Sequence, residues 1–250
     1  MAGPVHDALR RGRRVILHYA VGSPHSAAVR IALAEKGVAA EERRVDLARF
    51  AQHEPEFLAL CSSGQVPVLE HDGQVTFGSF AQLLALDEAH PAIALGGTDP
   101  PVRARVREWG AFVDREIAPH LAIVRWQALS GRVPASALAG IERLPPARRD
   151  LWREAAAGFS AERVARAAQA LLAAGKRIGA ALEDAEWLAG AELTLADIAA
   201  YPHLAQFPAL GLPVDHSVTG WLERIAQRPS VRPLREQLFP LATMGPEATA

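Results

Sequence analysis

The sequence predicts an α+β protein: a β-α-β-α-β-β-α unit in roughly the first ninety residues, then an all-helical half. Three observations predict it. Short apolar strand-like runs alternate with alanine- and leucine-rich stretches as far as Pro91; a segment rich in Pro and Gly occupies 91–101; and no strand pattern appears beyond it.

The elements follow in order. Val15-Ile16-Leu17-His18-Tyr19 reads as a strand, and 26–36 as a helix that Gly37 stops. Residues 43–47 form a second, weakly patterned strand, before a short helix at about 54–60. In Gly64-Gln65-Val66-Pro67-Val68-Leu69 the strand formers enclose a proline, which has no amide hydrogen for a ladder, so the segment is a strand start or an edge. Asp72-Gly73 supplies the positive φ angles of a tight hairpin, which returns 75–77 antiparallel. Residues 79–90 then form a helix that Pro91 ends.

Downstream, Trp109, Phe112, Val113, Glu116 and Ile117 outline a helix face, and Pro119 bends or ends that helix. A further helix carries 121–129, the region around Pro134, Pro145 and Pro146 is irregular or made of short helices, and Ser160 precedes a long helix to about Leu182. Thr194-Leu195-Ala196-Asp197 has the form of a capping box, with Leu193 and Ile198 as its apolar staple. The last predicted helix, 221–227, stops at Pro229. The expected domains are a flexible basic extension at 1–14, a first domain at 15–91, a linker at 92–101 and a helical domain at 102–240.

Composition narrows the function classes. The 250 residues carry 27 basic and 28 acidic side chains, which gives no support for nucleic-acid or anionic-membrane binding. Arg10, Arg11, Arg13 and Arg14 precede no long apolar stretch, so the start does not read as a secretory signal, and every apolar window is broken by charges. One cysteine, Cys61, excludes an internal disulfide framework and a cysteine-based zinc cluster, and the nine histidines show no metal-like spacing. A cytoplasmic protein acting on small molecules or proteins, without a metal, is the expectation.

The order of parts, together with Ser23-Pro24-His25-Ser26, the Gly64 to Leu69 run, Ser79, Trp187-Leu188-Ala189-Gly190, Thr194 to Asp197 and Arg228-Pro229-Ser230-Val231, resembles the glutathione transferase family. The resemblance spans about 15–233. Within it, Phe50-Ala51-Gln52-His53, His71-Asp72-Gly73, Trp109 with Val113-Asp114, and 144–159 as an insertion are similar to the bacterial lignin β-etherases. The resemblance implies a thioredoxin-like first domain, glutathione as co-substrate, a hydrophobic small-molecule electrophile such as an aryl ether, and a homodimer.

Glutathione is a peptide with two carboxylates and an ammonium, so its site needs backbone pairing, carboxylate donors and a group that stabilises the thiolate. The resemblance implies a cis Pro67 that turns the Val66 backbone toward the cysteinyl part, and places Ser79 at a helix N-terminus as the γ-glutamyl carboxylate seat. Gln65, with Gln52 or His53, donates to the glycyl carboxylate. For the thiolate, Ser26, which aligns with the serine of the β-etherase-like pattern, is preferred to Ser23, which aligns with that of other branches; one of the two caps the helix instead, and His25 is a further alternative. His120, Leu121, Val124 and Trp126 are the candidates for the electrophile pocket, although each also suits a helix core. Gly78 stands among these binding positions without the Glu or Gln side chain usual there, which leaves open a second class: a related protein that binds a ligand or partner without turnover.

Overall fold

The computed structural model describes residues 14–238. The expected basic extension, apart from Arg14, and positions 239–240 of the expected helical domain lie outside the described residues.

Four strands form one mixed sheet. β1 (Val15–Tyr19) pairs in parallel with β2 (Glu41–Arg44) and antiparallel with β3 (Val68–His71), which pairs antiparallel with β4 (Gln74–Thr76), giving the order β2-β1-β3-β4. The parallel pair is bridged by α1 (Pro24–Glu35), the crossover that parallel strands require. The hairpin between β3 and β4 turns on Asp72 (φ 50°) and Gly73 (φ 81°), the left-handed pair expected of Asp-Gly.

Three strand boundaries differ from expectation, β4 by one residue, as Gln74–Thr76 and not 75–77. The second strand is Glu41–Arg44, not 43–47: its four residues are exposed, so no burial pattern marks it, and Asp46 accepts from Ala48 and Arg49 to start the 3-10 turn Leu47–Arg49 instead. The third begins at Val68, after the Val66–Pro67 peptide, which is cis as the resemblance implied.

α2 (Pro55–Leu60) and α3 (Ser79–Ala89) complete the thioredoxin-like half. The helical half begins with α4 (Pro100–Phe112), where Asp99 accepts from Val102 as N-cap and Pro100 opens the first turn. A five-residue π-turn, Val113–Ile117, joins α4 to α5 (Ala118–Trp126), so Pro119 sits in the first turn of α5 and does not end the chain's helical course. α6 (Ala135–Ile141) and α7 (Pro146–Ala157) fill the region expected to be irregular or made of short helices. α8 (Ala161–Ala181) is capped by Ser160, and α9 (Leu195–Leu204), α10 (His216–Ala226) and the short α11 (Arg235–Leu238) close the described chain.

A single apolar core runs through both halves, from Leu17, Ile31 and Leu83 to Ile117, Leu171, Tyr201 and Trp221. α9 is its axis, packed on α1 and α4. Asp197 in its first turn is fully buried and accepts four hydrogen bonds, each 2.9 Å long, from the Leu188 and Thr194 amides, the Thr194 hydroxyl and the Trp221 indole. Such a group is stable in the interior only with its donors supplied, and here they tie the 187–190 turn and α10 to α9. The two halves meet where α9, braced in this way, packs on α1.

Candidate functional site

A cleft of about 420 Å³ lies between the thioredoxin-like half and the helical half. One wall comes from the loop into α1, the 3-10 turns at Leu47–Arg49 and Ala51–His53, the loop before β3 and the start of α3; the other comes from the π-turn, α5 and α7.

Ser23 lines the cleft as the N-cap of α1. Its Oγ accepts from the Ser26 amide at 3.2 Å, so its own hydrogen remains for a group in the cleft. Ser26 is elsewhere: it is fully buried under the helix start, where its Oγ accepts from the Ala20 amide at 3.1 Å, and it does not line the cleft. The helix turns the two hydroxyls, three positions apart, to different tasks. Arg125 of α5 reaches back to the same loop, its Nη2 donating to the Gly22 carbonyl at 2.7 Å.

Ser79 begins α3, with Gly78 as N-cap in the left-handed region (φ 80°). The dipole and free amides of that end favour an anion. A Cβ on Gly78 would meet nothing nearer than Ala81 at 3.9 Å, so the space beside Ser79 is open there. His25 comes in from the other side, its Nδ1 at 2.6 Å from Ser79 Oγ and its ring edge-on to His203 with centroids 4.7 Å apart. Burial, with the Arg125 and Arg148 charges, pushes His25 down to about 4.

On the loop wall, Gln65, Val66 and Pro67 face the cleft together with Gln52, whose enclosed Oε1 has no partner. Among the described residues neither the amide nor the carbonyl of Val66 is used in the sheet or in a turn, so both can pair with a peptide. His53 is not at the cleft surface. It is buried against Phe50 and Trp152, with burial and the Arg148 charge holding it down to about 4. Cys61 lines the cleft near Ser63, its sulfur 3.2 Å from the Ser63 hydroxyl.

Of the expected electrophile-pocket residues, Leu121 and Trp126 line the cleft and His120 and Val124 do not. His120 Nδ1 bonds the Glu116 carbonyl at 2.8 Å, and Val124 packs into the core. The π-turn explains the division, because its extra residue rotates α5 so that Ala118, Leu121, Ala122, Arg125 and Trp126 share the inner face. Trp126 stacks on Trp152 of α7 at 4.3 Å. Arg125, Arg148, Trp152 and His203 are among the cleft residues not proposed as site residues from the sequence. Arg125 lies one turn after Leu121, the only one of the four with a nearby sequence signal.

Family models for the N-terminal and C-terminal domains of glutathione S-transferases match residues 14–83 and 142–229, together more than half of the chain. Protein LigF of a Sphingobium strain is 29% identical over 223 residues, which cover 82% of this chain and 86% of LigF. The crystal structure of that β-etherase superposes with a TM-score of 0.81 at 26% identity, covering 89% of this chain and 98% of its own. FtsZ-localized protein A of Caulobacter vibrioides is 28% identical over 231 residues, 90% of this chain and 92% of that protein. A glutathione transferase homologue from Sulfitobacter, solved with bound glutathione, shares the fold at a TM-score of 0.69 and 20% identity, covering 89% of this chain and 97% of its own.

Proposed function

The chain belongs to the glutathione S-transferase family, and on that premise we propose that it binds glutathione in the cleft and directs the thiolate onto a hydrophobic electrophile. The observation that carries this reading is the convergence, in one cleft, of a free hydroxyl at Ser23, unpaired backbone at Val66 and an anion-favouring helix start at Ser79. These are the three things the tripeptide needs.

In this reading the Val66 amide and carbonyl pair with the cysteinyl backbone, beside Pro67. The γ-glutamyl carboxylate sits on the amides and hydroxyl of Ser79, next to Gly78, with His25 behind it. Gln65 and Gln52 donate to the glycyl carboxylate, while His53 supports the turn that carries Gln52. Ser23 donates its hydroxyl to the sulfur. A thiol is mostly protonated at neutral pH, with a pKa of about 8.5, so the donor and the nearby Arg125 charge raise the thiolate fraction. Attack then forms a carbon–sulfur bond as the leaving group departs with its electron pair. Holding both reactants in one cleft supplies much of the acceleration.

Leu121, Trp126 and Trp152 make the electrophile's wall apolar and aromatic. That suits an aryl ether, and the likeness to the β-etherase LigF supports this class, with a phenolate leaving and a glutathione thioether formed. Exposed Val75 on β4 and Phe77 just after it offer an apolar surface for the homodimer implied by the family. No described helix is long and apolar enough to cross a membrane. Titration calorimetry tests the reading: saturable heat with millimolar glutathione is expected, and its absence contradicts the assignment.

Gly78 favours a second reading, in which the cleft takes a ligand or partner without turnover. Saturable glutathione binding without thioether formation from any benzylic halide or aryl ether would select it.

A further inference from the structure

Among the described residues Arg148 has no carboxylate partner, and the acidic group that interacts with it is the Cys61 thiol. It lies on α7, lines the cleft and places its guanidinium carbon 5.5 Å from the centre of the Trp126 ring. Its Nε is enclosed and without a hydrogen-bond partner, and among the described residues no carboxylate lies within ion-pairing distance of it, whereas its chain neighbour Arg149 and Arg153 on the same helix both face Asp150. Burial pushes the guanidinium down to about 10, the mark of a cation held in a poorly solvated place. A buried cation is ordinarily paired, and one left unpaired in a cleft is half of an ion pair whose other half arrives with a ligand.

We propose that the second substrate carries a carboxylate or comparable anionic group on an aromatic or apolar frame, and that Arg148 is its seat. This rests on the transferase reading and narrows it. In that reading both carboxylates of glutathione are placed on the strand-and-loop wall, by Ser79 and by Gln52 with Gln65. Arg148 comes from the opposite wall, next to Trp126, Leu151 and Trp152. A flat guanidinium beside an aromatic face fits an aryl acid, whose ring lies against the tryptophans while the carboxylate takes two parallel hydrogen bonds. Of the two guanidiniums that line the cleft, Arg125 donates to the Gly22 carbonyl whereas Arg148 keeps an enclosed Nε without a partner, so discrimination between an acid and its neutral ester falls chiefly on Arg148.

The test uses para-(chloromethyl)benzoate and its methyl ester as paired electrophiles, each giving a glutathione thioether and chloride. The wild-type protein should prefer the acid, and Arg148→Met should lower the acid-to-ester ratio of kcat/KM on the order of ten- to a hundredfold. Arg148→Lys, which keeps the charge but not the fork, should retain part of the preference. An unchanged ratio in Arg148→Met overturns the inference. So does a rise in the KM for glutathione that disappears when γ-glutamylcysteine, which lacks the glycyl carboxylate, replaces it, since Arg148 then serves the tripeptide. Absence of glutathione binding by the wild-type protein is a different result, and strikes the transferase reading itself.

Discussion

His25 Nδ1 lies 2.6 Å from the Oγ of Ser79, joining the loop at the head of α1 to the first residue of α3. The direction of that hydrogen bond matters. When Nδ1–H donates, the Ser79 hydroxyl keeps its own hydrogen for an incoming carboxylate; when Nδ1 accepts, the hydrogen is spent on the ring. His25→Leu should therefore raise the KM for glutathione about tenfold with a smaller change in kcat. Asn carries an amide donor near the Nδ1 position, so His25→Asn should recover much of the loss. Steady-state kinetics with varied glutathione separates the two.

Ser23 and Ser26 should fail in different ways. Ser23→Ala removes the hydroxyl that faces the cleft and should lower kcat by roughly ten- to a hundredfold, the worth of one hydrogen bond to a charged group. Ser26→Ala leaves the buried Ala20 amide without its acceptor and should cost about 1–3 kcal/mol of stability. Urea unfolding and turnover, measured on both variants, distinguish a stabilised fold from a stabilised thiolate.

Stability should fall in mild acid. His25 and His53 titrate at about 4 in the folded protein against 6.5 unperturbed, because burial disfavours their charged forms. The unfolded chain thus binds protons that the folded one refuses: the stabilisation is complete above 6.5 and is lost as the pH drops from there toward 4. Each imidazole contributes up to about one proton to the difference. The pH dependence of the urea midpoint should be shallower in His53→Asn than in the wild type across that window.

α6 braces the site. Gly140 of α6 lies so close to the Ala51–His53 turn that a Cβ there would stand 2.4 Å from the His53 carbonyl oxygen. Gly140→Ala should cost roughly 1–3 kcal/mol by overpacking. It should also raise the KM for glutathione, as Gln52 is carried on the displaced turn. A lower melting temperature with an unchanged KM would separate the brace from the site.

The first half was legible because its chemistry is local. Asp72-Gly73 sets its hairpin and Pro67 marks where the ladder starts, as Thr194 with Asp197 marks a helix start in the helical half. The loop wall of the cleft follows from these, since Val66 and Ser79 are fixed by neighbours in the chain. The opposite wall is tertiary. Whether His120 or Leu121 faces the cleft depends on one extra residue in the π-turn, which leaves no mark on the apolar pattern. Arg148 stands beside Arg149 and reads as part of a solvated helix face until α7 is seen packed over Trp126. Ser23 and Ser26 are both cap-type residues one turn apart, and only the fold shows which of them faces the cleft.

The ionisation of glutathione's thiol in the complex tests the central claim most directly. Thiolate absorbance in the ultraviolet, followed as a function of pH with glutathione bound, should give an apparent pKa at least about one unit below the 8.5 of a free cysteine thiol. Ser23→Ala should move it back toward that value. A bound thiol that titrates as it does in free solution, in a protein that binds glutathione tightly, would contradict thiolate activation by this cleft.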